Sequence, residues 1–292
     1  MSGGLPPTEG RQAESAGLDL LETHELVDLL VRDQAQAAAA VKAQTSTLAR
    51  AVEAIVERLR RGGRLHYVGA GTSGRLAVLD ASEMPPTFGT PPDLVCAHIA
   101  GGDSALRTAI EGAEDDARAG AATMADHVAP GDAVVGISAS GGARYVVAAL
   151  EHARRTGALT VAITSSDASA LVAAAEFAIV LPTGAEALSG STRLKAGTAQ
   201  KITLNTLSTA IMVRLGKVHD NLMVDVVATN DKLRSRAARL VHDLTGADDA
   251  RVREALDAAG GNVKVAAVII ARGVDATRAR SLLQSETLRS LL

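Results

Sequence analysis

The stretch Arg64-Leu-His-Tyr-Val-Gly-Ala-Gly-Thr-Ser-Gly74 decides the fold. A short apolar run gives way to a glycine-rich turn, and Arg75–Ala81 behind it reads as a helix. A strand feeding a helix through such a turn is the repeating unit of a parallel α/β sheet. Working outward, four more short apolar runs occur at Leu94–Ile99, Ala133–Ile137, Leu159–Ile163 and Phe177–Leu181, each bounded by Gly, Pro, Ser or Asp. Ser104–Ala119, Arg144–Thr156 and Ala168–Ala174 between them read as helices. Near-continuous apolar strands alternating with helices predict an α/β fold, a doubly wound parallel five-stranded sheet covered on both faces.

The flanks have a different pattern. Residues 1–17 are rich in Gly, Pro and polar residues and predict an extended arm. Leu26, Leu29 and Leu30 fit one helix face; Leu48, Val52, Ile55, Val56 and Leu59 fit another that ends at Gly62-Gly63. A long helix follows the sheet at Leu194–Leu215. Its stripe Leu204, Leu207, Ile211 and Leu215 suits a subunit interface as well as an internal core. From Arg236 onward there is no strand signal. Three short helices are predicted there, with Asp248, Asn262 and Asp275 as N-caps. The division expected is 1–55 for the arm and first helices, 56–219 for the sheet domain, and 236–292 for a small C-terminal three-helix subdomain.

Composition narrows the function. The chain has 292 residues, with 30 Lys plus Arg against 33 Asp plus Glu and a formal charge of −3. That balance argues against a nucleic-acid partner, which calls for a basic surplus. Trp is absent and only Tyr67, Phe88, Tyr145 and Phe177 are aromatic, so stacking platforms for bases are not expected. The lone cysteine, Cys96, lies in an apolar run and reads as a small core residue. No apolar stretch is long enough to span a membrane, and no leader pattern opens the chain, so the cytoplasm is the expected location. The seven histidines have no metal-ligand spacing, and no metal is expected.

The glycine turns carry the chemistry. Gly69–Gly74 matches G-x-G-x-x-G, but the dinucleotide fingerprint also wants an acid at the end of the second strand. That strand ends instead in His98-Ile-Ala-Gly-Gly102. The third strand ends in a second such turn, Ser138-Ala-Ser-Gly-Gly142. Gly71 and Gly141 let the backbone approach a ligand closely, and Thr72, Ser73, Ser138 and Ser140 add hydroxyl donors. Together they predict a cradle for one phosphate group. Either turn alone could be an ordinary strand-to-helix connection.

These two turns resemble those of the sugar isomerase (SIS) fold, which binds phosphosugars. The longer runs Gly69–Gly89, Ile99–Asp103 with Glu111–Asp116, Leu188–Lys201 and Gly216–Asp225 are similar to the signatures of N-acetylmuramic acid 6-phosphate etherases. The arm departs from that pattern at Gly10, Gln12 and Ala13, and Met84 stands where Cys is common. The resemblance implies a cytoplasmic carbon–oxygen lyase without cofactor or metal. It removes D-lactate from the 3-position of the phosphosugar by elimination and then hydration. It implies a homodimer, and it places the family's two working carboxyl groups on Glu83 and Glu114. A non-catalytic phosphosugar sensor and an aldose–ketose isomerase are the alternatives on the same fold. The C-terminal helices resemble a ubiquitin-associated bundle.

Residue patterns alone say less about the acids. Glu83 follows the helix after Gly74, and Pro85-Pro86 is expected to stop that helix, leaving Glu83 at its negative end, where a raised pKa would suit an acid. Glu114 falls at the edge of a stripe of Leu106, Ile110, Ala113 and Ala117 on the expected helix Ser104–Ala119, but Asp116 lies at the opposite edge, and periodicity does not choose between them. The resemblance chooses Glu114, as the base at C2, with Glu83 as acid to the lactyl oxygen. Ser191, Thr192, Lys195 and Lys201, at the start of the long helix, are secondary candidates, Lys195 as a cation near the phosphate.

Overall fold

The computed structural model describes residues 7–225 and 231–292. Two compact units divide the chain: residues 1–81 with 93–211, and 82–92 with 212–292.

In the first unit the arm is a series of 3-10 turns, Pro7–Glu9, Ala13–Ser15 and Leu18–Leu20. Helices α1 (Thr23–Ala43) and α2 (Thr45–Arg60) follow. The predicted stripe Leu48, Val52, Ile55, Val56 and Leu59 is buried, and α2 packs on the sheet. The sheet comprises β1 (Leu65–Gly69), β2 (Val95–Ile99), β3 (Ala133–Ile137), β4 (Leu159–Thr164) and β5 (Phe177–Val180), all parallel, in the order β2-β1-β3-β4-β5. Every residue of β1, β3 and β4 is buried, as a parallel sheet covered on both faces requires.

The strand order fixes where the sheet opens a crevice. From β1 the chain moves to the β2 edge, then returns to place β3 on the other side of β1. The carboxyl ends of β1 and β3 are therefore neighbours at the point where the winding reverses, the crevice that open α/β sheets use for ligands.

The helices between the strands are α3 (Gly71–Ser82), α4 (Met84–Phe88), α5 (Ala117–His127), α6 (Arg144–Thr156) and α7 (Ala170–Ala174). Met124 of α5, Val146, Ala149 and Leu150 of α6, and Leu171 of α7 pack with Val68, Val134 and Ala162 on one face of the sheet.

Two expectations fail here. No helix spans 104–119: Asp103–Leu106 and Ala113–Asp115 are separate 3-10 turns. Gly101, Gly102 and Gly112 hold positive φ, and Asp116 starts a new helix by accepting a hydrogen bond from the Ala119 N–H (2.9 Å). Ile110, expected in a buried stripe, is exposed. Nor do Pro85 and Pro86 stop a helix. They lie in the first turn of α4, where a missing N–H costs nothing.

Helix α8 (Lys195–Arg214) closes the first unit. Leu204, Leu207 and Ile211 are fully buried within the single chain, so this part of the stripe is core and not a subunit interface.

The second unit contains α4, the hairpin β6 (Val218–His219) and β7 (Leu222–Met223), and helices α9 (Asp231–Thr245), α10 (Asp249–Ala259), α11 (Val263–Arg272), α12 (Ala276–Ser285) and α13 (Leu288–Leu291). The three predicted caps are present. Asp248, Asn262 and Asp275 accept from the N–H groups of Arg251, Val265 and Arg278. Val252, Val263, Val268, Ala279 and Leu291 form the core of this bundle.

Candidate active site

The two glycine turns meet as the strand order dictates. A hollow of about 300 Å3 is lined by Gly71, Thr72 and Ser73 of the first turn and by Ser138, Ala139 and Ser140 of the second. Gly69 and Gly74 fold the first turn on itself: a Cβ on Gly69 would lie 2.7 Å from the Gly74 nitrogen, and one on Gly74 would lie 2.9 Å from the Gly69 oxygen. Gly71 takes a φ of +53° with open space around it and is already the first residue of α3. The positive end of that helix therefore faces the hollow. Gly141 adopts a φ of +69°, and a Cβ there would collide with Ser169. It supports the second turn and is not itself among the lining residues.

Hydrogen bonds divide the hydroxyls. Ser138 Oγ accepts from the Gly141 N–H (3.1 Å), and Ser140 Oγ accepts from the Gly142 N–H (3.2 Å). Each hydroxyl keeps its own proton for a ligand. Ser73 differs: it donates to Gln200 Oε1 (2.8 Å), bracing the first turn from α8. Thr72 is thus the hydroxyl donor of the first turn. The turn is braced again below, where Tyr67 and Ser208 both donate to the buried Asp80 (3.1 and 3.2 Å). Burial pushes the Tyr67 phenol well above its ordinary range and raises the Asp80 carboxyl against the bonds it accepts.

Of the expected acids, Glu114 lines the hollow. It stands on the 3-10 turn Ala113–Asp115 and is exposed. The structure separates it from its neighbour for a reason that periodicity missed: Asp116 is committed to capping α5. Glu83 lies in the second compact unit, exposed, between α3 and α4. It follows the carbonyl end of one helix and is the N-cap residue of the next, its own carbonyl accepting from Thr87 N–H (3.1 Å).

Lys195 is not a lining residue. It is 1% exposed, and its ammonium pairs with Asp33 (2.8 Å) and donates to Gln36 (3.3 Å). Its backbone N–H and that of Ala196 are held by Glu186 (2.9 Å each), a buried carboxylate that caps α8 from a distance. Burial raises the Glu186 carboxyl against those two bonds and the Lys195 charge. Lys201 donates to Asn205. Of the secondary candidates, Thr192 lines the hollow, joined by Gly190 and by Glu9 from the N-terminal arm. Sequence reasoning missed Glu9 because no local pattern shows where an arm will lie. Among the described residues no lysine or arginine lines the hollow; its polar lining is N–H groups, hydroxyls and carboxylates. Among the described residues no group of three or more His, Cys, Asp or Glu could hold a metal ion.

Comparisons with known proteins bear on the fold and the family. Residues 47–154 match the glucokinase regulatory protein N-terminal SIS domain, and residues 115–210 match the SIS domain. A phosphoheptose isomerase from Francisella tularensis has the same fold, with a TM-score of 0.52 and 21% identity, covering 68% of this chain and 98% of that one. The sheet region, residues 47–210, is a SIS domain. A protein from Symbiobacterium thermophilum named N-acetylmuramic acid 6-phosphate etherase is 56% identical over 267 residues, covering 91% of this chain and 89% of its own. One of the same name from Streptomyces avermitilis is 51% identical over 278 residues, covering 95% and 89%. The chain belongs to the N-acetylmuramic acid 6-phosphate etherase family.

Proposed function

We propose that the chain cleaves the D-lactyl ether of N-acetylmuramic acid 6-phosphate, giving N-acetylglucosamine 6-phosphate and D-lactate. The observation that carries this is the single hollow in which two hydroxylated glycine turns stand beside the carboxyl group of Glu114. The turns supply what a phosphate dianion needs. Glu114 is a carboxylate positioned to work on the sugar that the phosphate anchors.

The opened sugar has an aldehyde at C1, which makes the C2 proton acidic. Glu114 takes that proton. The C3–O bond breaks as an acid protonates the departing lactyl oxygen, leaving a C2–C3 double bond. Water then adds at C3 and a proton returns to C2, so the sum is replacement of lactate by a hydroxyl. Glu83 is proposed as the acid and then as the base for water. Its support is the motif that contains it, Glu83-Met-Pro-Pro-Thr-Phe-Gly89. Thr72, Ser138 and Ser140 are proposed to bind phosphate, Gly71 and Gly141 to shape the turns, and Ser73 and Lys195 to act from behind by bracing α3 and α8.

The direct test is incubation with N-acetylmuramic acid 6-phosphate and an assay for lactate. Release of lactate is expected. A sensor or an isomerase would bind phosphosugar and release none. The chain is further proposed to work in the cytoplasm as a homodimer. Leu20 and, one turn apart on α1, Val27 and Val31 are large apolar side chains left exposed. Sedimentation is expected to give a dimer, and Val27→Asp/Val31→Asp a monomer.

A further inference from the structure

We propose that Glu9 is a binding residue for the sugar, its carboxylate accepting hydrogen bonds from hydroxyl or amide N–H groups of a substrate anchored by phosphate in the glycine turns. The proposal rests on the phosphosugar reading of the hollow and adds to it the part of the site that recognises the sugar.

Glu9 is not on a loose terminus. Thr8 beside it is fully buried. Ser189 donates to the Gly10 carbonyl (3.1 Å), tying the arm to the loop that precedes α8. Gln12 donates its amide to Asp33 (3.0 Å), the partner of Lys195. The turn Pro7–Glu9 is thus held by the buried Thr8 and, just after it, by the bonds to Ser189 and to the buried Asp33. Its carboxylate lies against Gly190: a Cβ built there would sit 3.2 Å from Glu9 Oε2. Gly190 also holds a φ of +77°. The close approach and the backbone both call for glycine.

Charge then identifies the ligand group. Among the described residues no cation or donor pairs with the Glu9 carboxylate. An ionised carboxylate can only accept hydrogen bonds, and it repels a phosphate. The group it fits is a donor. Donors from the glycine turns and acceptors from Glu9 and Glu114 share one hollow. That division matches a molecule with a dianion at one end and hydroxyl or amide hydrogens at the other.

The test uses binding, so that it stands apart from the lactate assay. Calorimetry with N-acetylglucosamine 6-phosphate and with inorganic phosphate is run on the full chain, on Glu9→Ala and on Glu9→Gln. Loss of a charge-assisted bond is expected to weaken sugar-phosphate binding about tenfold or more in Glu9→Ala, and less in Glu9→Gln, which keeps one acceptor. Inorganic phosphate affinity is expected to stay within about twofold. Unchanged sugar-phosphate affinity overturns the proposal. A parallel loss for both ligands also overturns it, since the arm would then act only on the fold. A full chain that binds the sugar phosphate but releases no lactate from the ether refutes the etherase activity alone, and the affinity ratios still decide Glu9. A full chain that does not bind the sugar phosphate overturns both.

Discussion

Glu114 and Asp116 are two residues apart, are both acidic and are both exposed, yet they differ completely in what they can do. Asp116 holds the first turn of α5, while Glu114 lines the hollow between the two glycine turns. Glu114→Gln is expected to lower lactate release about hundredfold or more, the usual weight of a general base, and to slow exchange of the C2 proton with solvent. Full lactate release in this variant would remove Glu114 from the chemistry. Gly141→Ala forces a side chain against Ser169 in a left-handed conformation. A loss of about 1–3 kcal/mol in urea unfolding is expected, with weaker inorganic phosphate binding. Both glycine turns were legible in the sequence, because close approach and positive φ admit few other residues. The role of Asp116 was not, since a helix start depends on where the preceding glycines turn the chain.

Among the elements, the network Gln12–Asp33–Lys195–Gln36, with Asp33 and Lys195 buried at its centre, joins the arm, α1 and α8. Lys195→Met leaves Asp33 as an uncompensated buried charge and is expected to cost about 3–5 kcal/mol in urea unfolding. The double variant Asp33→Leu/Lys195→Met is expected to recover part of that loss, because no lone charge remains. Additive losses would refute the pairing. The sequence suggested Lys195 as a phosphate cation; a lysine at a helix start reads the same whether it faces solvent or an aspartate far away in the chain. Helices with a strong single face, such as α2 and α6, were legible, and Arg144–Thr156 matches its expected bounds. The expected helix 104–119 was not a helix because Gly112 and the Asp116 cap outweigh an apolar spacing of which half is alanine.

At the scale of the whole molecule, acid is expected to weaken the first unit. His66 and His98 lie 3.1 Å apart between ring nitrogens, and His66 also meets Asp132 (3.3 Å). Burial lowers the His66 pKa against the pull of Asp132, and burial together with the neighbouring His66 lowers His98 from 6.5 to about 4. Asp132 is pushed up by burial but held below its ordinary value by the N–H groups of Ala129 and Arg64. All three have depressed folded pKa values. Their contribution is present above the unfolded value and lost as pH falls through the folded one. For His98 that window runs from about 6.5 down to about 4, and the loss is on the order of 2 kcal/mol. Urea unfolding at neutral pH and near pH 4 measures it. His98→Gln is expected to flatten the difference, and an unchanged pH slope would count against this histidine. The raised carboxyls of Asp80 and Glu186 act with the opposite sign; comparing the variant with the parent cancels them.

The five strands, their covered sheet, both glycine turns and the caps of the C-terminal helices could be read from the chain's local patterns. Each rests on interactions within a few residues: an apolar run, a glycine that must turn, a side chain that reaches the next N–H. It took the folded chain to show that β1 and β3 are neighbours, that Lys195 answers Asp33, and that the arm delivers Glu9 to the hollow. Those facts depend on contacts between segments distant along the chain, which the burial of apolar surface selects and no local pattern records.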